Sequence, residues 1–260
     1  MPFETILYET EGPIASLTLA REHRLNAIDR QMIAELEEAT DAFEADADTR
    51  VLVVAGAGRA FSAGADIKER AENAGDLSVQ RTSSRISPLF RRLERMDKIS
   101  VAAVNGPAFG GGCELALACD LRIASTAASF SLPEAKLGIL PGAGGTQRLP
   151  RLIGPGRAKE MMLLGTTVTA EQALAWGLVN RTVEPNALAG EAQRMAERLV
   201  AMAPRSLALV KQAVNVALDA GIDVGLDYEQ RCSEVVAVLE DRREGYRAFV
   251  EKREPHFTGR

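Results

Sequence analysis

Residues 105–120 read NGPAFGGGCELALACD, a turn and a glycine cluster that run straight into a helix-forming stretch, Cys113–Ala118. An apolar run, Val101–Val104, precedes this segment and another, Leu121–Ala124, follows it. Continuous apolar runs without alternation suit strands covered on both faces. The whole therefore reads strand, glycine loop, helix, strand, which is α/β architecture. The helix starts at Gly110-Gly111-Gly112. Free backbone N–H groups lie at such an N-terminus, where the aligned peptide dipoles favour negative charge, a suitable seat for a developing oxyanion. A lone glycine cluster more often serves only a tight turn or close packing.

Toward the N-terminus, β-branched stretches at Thr5–Glu9 and Ile14–Leu19 flank Glu11-Gly12-Pro13 and read as a hairpin. Asp29 is placed to cap a helix whose apolar residues Met32, Ile33, Leu36, Ala39 and Phe43 recur at helical spacing to about Ala45, and Val51–Val54 is a further buried strand. Beyond Gly154 helices dominate. Pro155 suits a first turn, Thr169 and Gln172 have capping-box spacing, and a last strand is expected at Leu178–Val183. Helical windows follow at Ala187–Met202, Arg205–Ala220, Leu226–Leu239 and Asp241–Lys252. The expected organisation is a core over residues 1–195 and a helical C-terminal region over residues 196–260.

The chain has 260 residues, 46% apolar and 26% charged, with a net charge of −5. That is the composition of a globular protein large enough to bury a core without disulfides or metals. Only two histidines occur, His23 and His256, one near each end. There is no G-x-S-x-G elbow and no H-E-x-x-H helix, so serine-hydrolase and zinc-protease chemistry are excluded. Cys113, Cys119 and Cys232 have no C-x-x-C spacing and read as reduced thiols, and MPFETILYET lacks the marks of a signal peptide. No apolar run approaches the roughly 18 residues of a membrane span. A cytoplasmic protein without a membrane partner is expected. The glycine fingerprint begun at Gly56-Ala57-Gly58 fails at Phe61, and no Walker A loop occurs, which disfavours NAD and ATP.

Two further loops rich in small residues, Ala60–Asp66 and Pro141–Thr146, accompany two carboxylates. Glu114 sits in an otherwise apolar helix, and Glu134 follows a short expected strand, Ala128–Leu132, and Pro133. Either carboxylate alone is most often solvated. Buried, each is costly unless water, the other carboxylate or a substrate pairs with it, so the two together suggest acid–base chemistry.

LNAI at Leu25–Ile28, FSAGADIKE at Phe61–Glu69, NGPAFGGGCELALACD, and SLPEAKLGILPGAGGTQRLPRLIG at Ser131–Gly154 resemble the crotonase, or enoyl-CoA hydratase/isomerase, superfamily. The resemblance covers essentially the whole chain. It implies a spiral of ββα units followed by a helical C-terminal region, assembled as a homotrimer or dimer of trimers. It implies addition of water across the 2,3-double bond of an enoyl-CoA thioester, as in fatty-acid β-oxidation. In that likeness the backbone N–H groups of Ala63 and Gly111 hold the thioester oxygen, Glu114 acts as base to a water and Glu134 protonates Cα. Gly142 helps to position the water. Ala65, Asp66 and Ile67 fall where the family binds pantetheine and acyl group, Arg24, Leu25 and Ala27 near the adenine end, and Phe257 as an acyl-CoA contact reaching a neighbouring subunit. Coenzyme A is part of the substrate, so no separate cofactor and no metal are expected. Glu22 and Thr258 depart from the pattern, standing where many relatives have proline and some have lysine.

ADIKER, ELALACDLRIA and GGTQRLPRLIGPGRAKE also resemble methylglutaconyl-CoA hydratases, one eukaryotic type of which binds RNA through a lysine-rich helix. Between Gln31 and Thr49 this chain instead carries seven acidic residues and no Lys or Arg, which reads as a solvated face that repels phosphates. No nucleic-acid partner is expected. A methylglutaconyl-CoA hydratase or a crotonase-type isomerase is the alternative activity, and segments such as Asn73–Ile86 are expected to shape the acyl pocket.

Overall fold

Strands β1 (Ile6–Glu11) and β2 (Ile14–Leu19) form the expected antiparallel hairpin at one edge of a sheet. In this computed structural model, which describes residues 3–73 and 84–260, helix α1 (Arg30–Ala45) follows, its first turn capped by the Asp29 carboxylate, which accepts from Met32 N–H at 2.8 Å. Strand β3 (Val51–Gly56), helices α2 (Ile67–Glu72) and α3 (Ile86–Arg95), strands β4 (Ile99–Val104) and β5 (Pro107–Phe109), and helix α4 (Gly111–Ala118) come next. Then come β6 (Leu121–Ser125), β7 (Ser129–Ser131), α5 (Gly145–Ile153), α6 (Pro155–Leu163), β8 (Val168–Thr169), α7 (Ala170–Ala175) and β9 (Arg181–Val183). Helices α8 (Leu188–Val200), α9 (Pro204–Asp219), α10 (Ile222–Ala237) and α11 (Glu240–Glu251) complete the chain.

The main sheet has the order β1-β2-β3-β4-β6-β9 and is parallel beyond the hairpin, while β5, β7 and β8 make a second, smaller sheet. The apolar strands are covered on both faces. Leu52, Val54, Ala102, Val104 and Ala124 face the main core with Phe43, Phe61, Phe90 and Phe130. Val51, Val101, Ala103 and Ile123 face a second cluster closed by Leu188, Ala192 and Ala196 of α8. Covering of both faces is why these strands read as unbroken apolar runs.

Three expectations need correcting. The boundary near residue 195 falls inside α8, which stays docked on the sheet through Ala196 and ends at Val200. The last strand starts at Arg181 rather than Leu178, because Leu178 and Val179 close the end of α7 by donating their N–H groups to Ala173 O. Their apolar character reflects burial, not pairing. The acidic face of α1 is not simply solvated: Arg85 pairs with Glu37, and Arg92 with Asp41 and Glu44.

Beyond α8 few side chains are buried, Ala208 and Lys211 in α9 and Asp241 and Ala248 in α11. Lys211 holds α9 to the core, donating to Asp120 at 2.9 Å and to the carbonyls of Leu93 and Lys98.

Candidate active site

Helix α4 is buried over its whole length, and it brings Glu114 into the core one turn from the N–H groups of its first residues, which have no partner within the helix. Gly110, just before it, has φ +51 and ψ −126, and a Cβ there would lie 3.0 Å from Glu134 Oε1. Only glycine combines that backbone with so close a carboxylate. Glu134 itself begins a short 3-10 turn stiffened by Pro133. Both carboxylates line one cavity of about 540 Å³, with Ala63, Ala65, Ile67, Gly111, Leu137, Ile139, Leu140 and Gly142 among its walls.

The two carboxylates are held differently. Glu114 Oε1 accepts from Ala143 N–H and Gly145 N–H, each at 2.8 Å. Glu134 Oε2 is buried with no hydrogen-bond partner among the described residues. Burial pushes Glu114 above the usual carboxylate range, against the pull of those two amides and of the Arg148 and Arg70 charges. Burial, with the Glu114 charge adding to it, lifts Glu134 to about 7. Amide donors favour the charged form of Glu114, and nothing equivalent supports charge on Glu134 Oε2. Two such neighbouring carboxylates titrate as a coupled pair.

Beside them lie two backbone donors. Gly111 is the first residue of α4, so its N–H has no carbonyl of its own helix to reach. Ala65 N lies 3.8 Å from the position of a Cβ on Gly111, and its N–H has no acceptor among the described residues. Ala63, expected in this role, does not fit it: its N–H is committed to Leu25 O at 2.9 Å. Gly64, between the two alanines with φ +88, redirects the chain between these amides.

The surrounding chain matches known proteins over its full length. A sequence profile described as enoyl-CoA hydratase/isomerase matches residues 9–260. This chain belongs to the enoyl-CoA hydratase/isomerase family. It is 40% identical over 254 residues to the short-chain-enoyl-CoA hydratase of Clostridium acetobutylicum, covering 97% of each chain. It is 38% identical to the crotonyl-CoA hydratase of Syntrophomonas wolfei, covering 100% of each. Among solved structures, the enoyl-CoA hydratase of Bacillus anthracis superposes with a TM-score of 0.95 at 39% identity, covering 99% of this chain and 100% of that one.

Against this enoyl-CoA hydratase/isomerase fold, the other expected site residues separate into two groups. Ala65, Ile67 and Gly142 line the cavity. Asp66 does not: its carboxylate caps α2 at Glu69 N–H and pairs with Arg21 at 3.1 Å, a structural task. Leu25 and Ala27 belong to a loop laid against residues 63–66, where Leu25 O takes the Ala63 N–H and Ile28 bridges to Ala65, and the exposed Arg24 is near enough to act on the Asp66 charge. Phe257 is not among the residues that line the cavity within its own chain. Its ring packs over Gly245 and its carbonyl accepts from Arg50. Residues 74–83, most of the segment expected to shape the pocket, lie outside the described residues.

Sequence reasoning missed Ala143 and Gly145 as supports of Glu114, and Arg148, whose Nη1 donates to Ala143 O at 2.8 Å while Nε and Nη2 clasp Glu94. PGAGG was legible as a loop, but not which of its amides turn inward. No cluster among the described residues has the ligand set of a metal site, and neither buried cysteine is a plausible nucleophile, since burial pushes Cys119 up to about 12 and Cys113 higher still.

Proposed function

We propose that this chain is an enoyl-CoA hydratase, converting a 2-enoyl-CoA thioester to the 3-hydroxyacyl-CoA. The observation that carries this reading is the unlike pair, Glu114 bonded by two amides and Glu134 raised to about 7 with no partner for its Oε2, in one cavity with two backbone N–H groups that have no acceptor among the described residues. Hydration needs a group that takes a proton from water and one that delivers a proton to carbon. Glu114 accepts a proton from a water as the water oxygen bonds to Cβ. The electron pair of the double bond moves toward the thioester oxygen, where Ala65 N–H and Gly111 N–H meet the developing charge, and one such donor is worth about 3 kcal/mol. The pair then returns to form the Cα–H bond with the proton of Glu134. The carboxylates end with their protonation exchanged and reset through water. The steps call on no redox group or metal, and coenzyme A enters as part of the substrate.

The test is hydration of crotonyl-CoA and longer enoyl-CoAs by wild type, Glu114→Gln and Glu134→Gln. Each variant is expected to lose roughly 10²–10⁴-fold in kcat. A product of unchanged mass from wild type, signifying isomerisation, would overturn the reading.

The same reading carries assembly as a trimer or dimer of trimers and a cytoplasmic location. Exposed Ile222, Val238, Phe249 and Val250 on or beside α10 and α11 support the first, since the last two are 84% and 79% exposed and such a face is best covered by another copy of the chain. Three free cysteines support the second, and no described helix is long and apolar enough to cross a membrane. Light scattering on the purified protein measures the assembly.

A further inference from the structure

We propose that the Ser62 hydroxyl is a positioning group for the thioester oxygen, holding the Ala65 amide where it and the Gly111 amide reach the same atom. The inference rests on the hydratase reading, which makes those two amides the seat of the developing charge. Ser62 is fully buried. Its Oγ donates to Asn26 O at 2.7 Å and accepts from Gly64 N–H at 3.1 Å. One hydroxyl therefore ties the loop at Leu25–Ile28 to the peptide that turns the chain from Ala63 to Ala65. Gly64 makes that turn at φ +88, a backbone that glycine enters and leaves freely, so something else must fix it.

Ser62 also grips the segment that supplies the second amide. Its N–H donates to Pro107 O at 3.1 Å and its carbonyl accepts from Phe109 N–H at 2.9 Å, so its backbone is strapped to β5, which runs straight into Gly110 and Gly111. Gly112, in the first turn of α4, is pressed against it: a Cβ there would sit 2.6 Å from Ser62 Cβ. A Cβ on Gly64 would in turn sit 3.1 Å from Gly111 N. The two donors come from separate segments of the chain, and Ser62 touches both. Alanine at this position would keep the backbone bonds but leave Asn26 O and Gly64 N–H without the hydroxyl, and buried peptide groups that lose a partner turn toward another. The Ala65 amide would move with Gly64. Misplacement by about 1 Å can cost on the order of 10²-fold in rate, and the cost falls on the charged transition state more than on the neutral carbonyl.

The test uses Ser62→Ala and Ser62→Cys, the second nearly keeping the side-chain shape with a much weaker hydrogen-bonding group. Both variants, folded by circular dichroism and melting temperature, should lose roughly tenfold in kcat on crotonyl-CoA with KM within about 3-fold of wild type. Where Ser62→Ala does not fold, Ser62→Cys alone decides. Both limbs of the pH–rate profile should stay in place, since Ser62 bonds to neither carboxylate; a moved limb, or a loss carried by KM, overturns the proposal. The infrared stretch of a carbon-13-labelled thioester carbonyl in bound butanoyl-CoA, which has no double bond to hydrate, reads the two amides directly. Binding should lower its frequency in wild type and lower it less in the variants, and an equal shift in all proteins overturns the proposal. If crotonyl-CoA is not hydrated but the labelled carbonyl still shifts less in the variants, the hydratase reading fails and the role of Ser62 stands. If hydration is undiminished in both variants, the role of Ser62 fails and the hydratase reading stands.

Discussion

Arg148 and Glu114 are joined through one peptide unit: Arg148 Nη1 donates to Ala143 O at 2.8 Å, and Ala143 N–H donates to Glu114 Oε1 at 2.8 Å. The guanidinium is itself fixed by Glu94 on α3, with bonds of 3.0 and 2.9 Å. Glu114 thus rests on a loop that α3 and α5 hold between them. Replacing Arg148 by Met removes both a positive charge near Glu114 and the grip on the loop, and each loss disfavours the ionised carboxylate. The acid limb of the pH–rate profile, which reports ionisation of the base, is expected to move to higher pH, with a roughly tenfold fall in kcat at neutral pH from weaker orientation. An unmoved acid limb would show that Arg148 merely packs.

Glu134 gives the other limb. In its proposed role as proton donor it must be protonated, and burial with the Glu114 charge lifts it to about 7. The log of kcat/KM is therefore expected to fall as pH rises through about 7 in the free enzyme. The stability sign follows from the same shift. The folded state binds a proton that the unfolded chain releases from near 4.5, so the contribution of Glu134 is fully favourable below that value and is lost as pH rises toward about 7. Glu134→Gln should raise the melting temperature at pH 8 but not at pH 4.5, by the equivalent of roughly 1 kcal/mol of stability once screening by cavity water is allowed for. Equal effects at both pH values would count against a proton resting on Glu134.

That Glu114 and Glu134 come together was legible because their carboxylates carry the chemistry, whereas Gly142 was legible as a cavity residue only through the resemblance of its motif. The N–H donors were not, since any residue but proline has one and only backbone direction decides its use. Ala63 and Ala65 differ in no way that sequence shows, but Gly64 at φ +88 separates an amide bound to Leu25 from one beside Gly111. The sheet was legible from apolar runs that pack on both faces. Strand β5 was not, because Pro107–Phe109 is only three residues long and owes its pairing to β7 rather than to its own pattern. Helix α10 starts at Ile222, four residues before its expected start, and Gly225, whose low helix propensity falls in that first turn, hid the turn from the sequence pattern. The sequence assigned neither Arg70 nor Arg148 a single use, and only the fold turns one into the cavity and the other onto the PGAGG loop.

Gly111 allows its N–H to be removed with little strain. It is the first residue of α4, where proline is well tolerated, and a Cβ there would have Ile28 Cδ1 as its nearest neighbour at 3.6 Å, an ordinary contact. Gly111→Ala keeps the N–H and serves as control. Gly111→Pro is expected to fold, by circular dichroism and melting temperature, and to lose roughly 10²–10³ in kcat, while Gly111→Ala stays within about 3-fold of wild type. Equal activity of the two variants would remove the Gly111 amide from the mechanism.

Lys211 and Asp120 allow a prediction about the attachment of the C-terminal helices. The ammonium is buried and bonded to Asp120 and to two carbonyls, and Asp120 also accepts from Ser100 N–H at 2.8 Å. Burial raises the Asp120 carboxyl even with Lys211 beside it. Removing the ammonium in Lys211→Met leaves a buried carboxylate with only its Ser100 contacts, and loss of one partner of such a pair costs about 3 kcal/mol. Lower pH relieves this by letting Asp120 take up a proton that it then holds more tightly than in wild type. Urea unfolding should therefore show a large deficit for Lys211→Met at pH 8 and a distinctly smaller one at pH 5, with proteolysis at pH 8 first reaching the chain after Val200. A deficit independent of pH would mean that α9 is held by packing around Ala208 rather than by the ion pair.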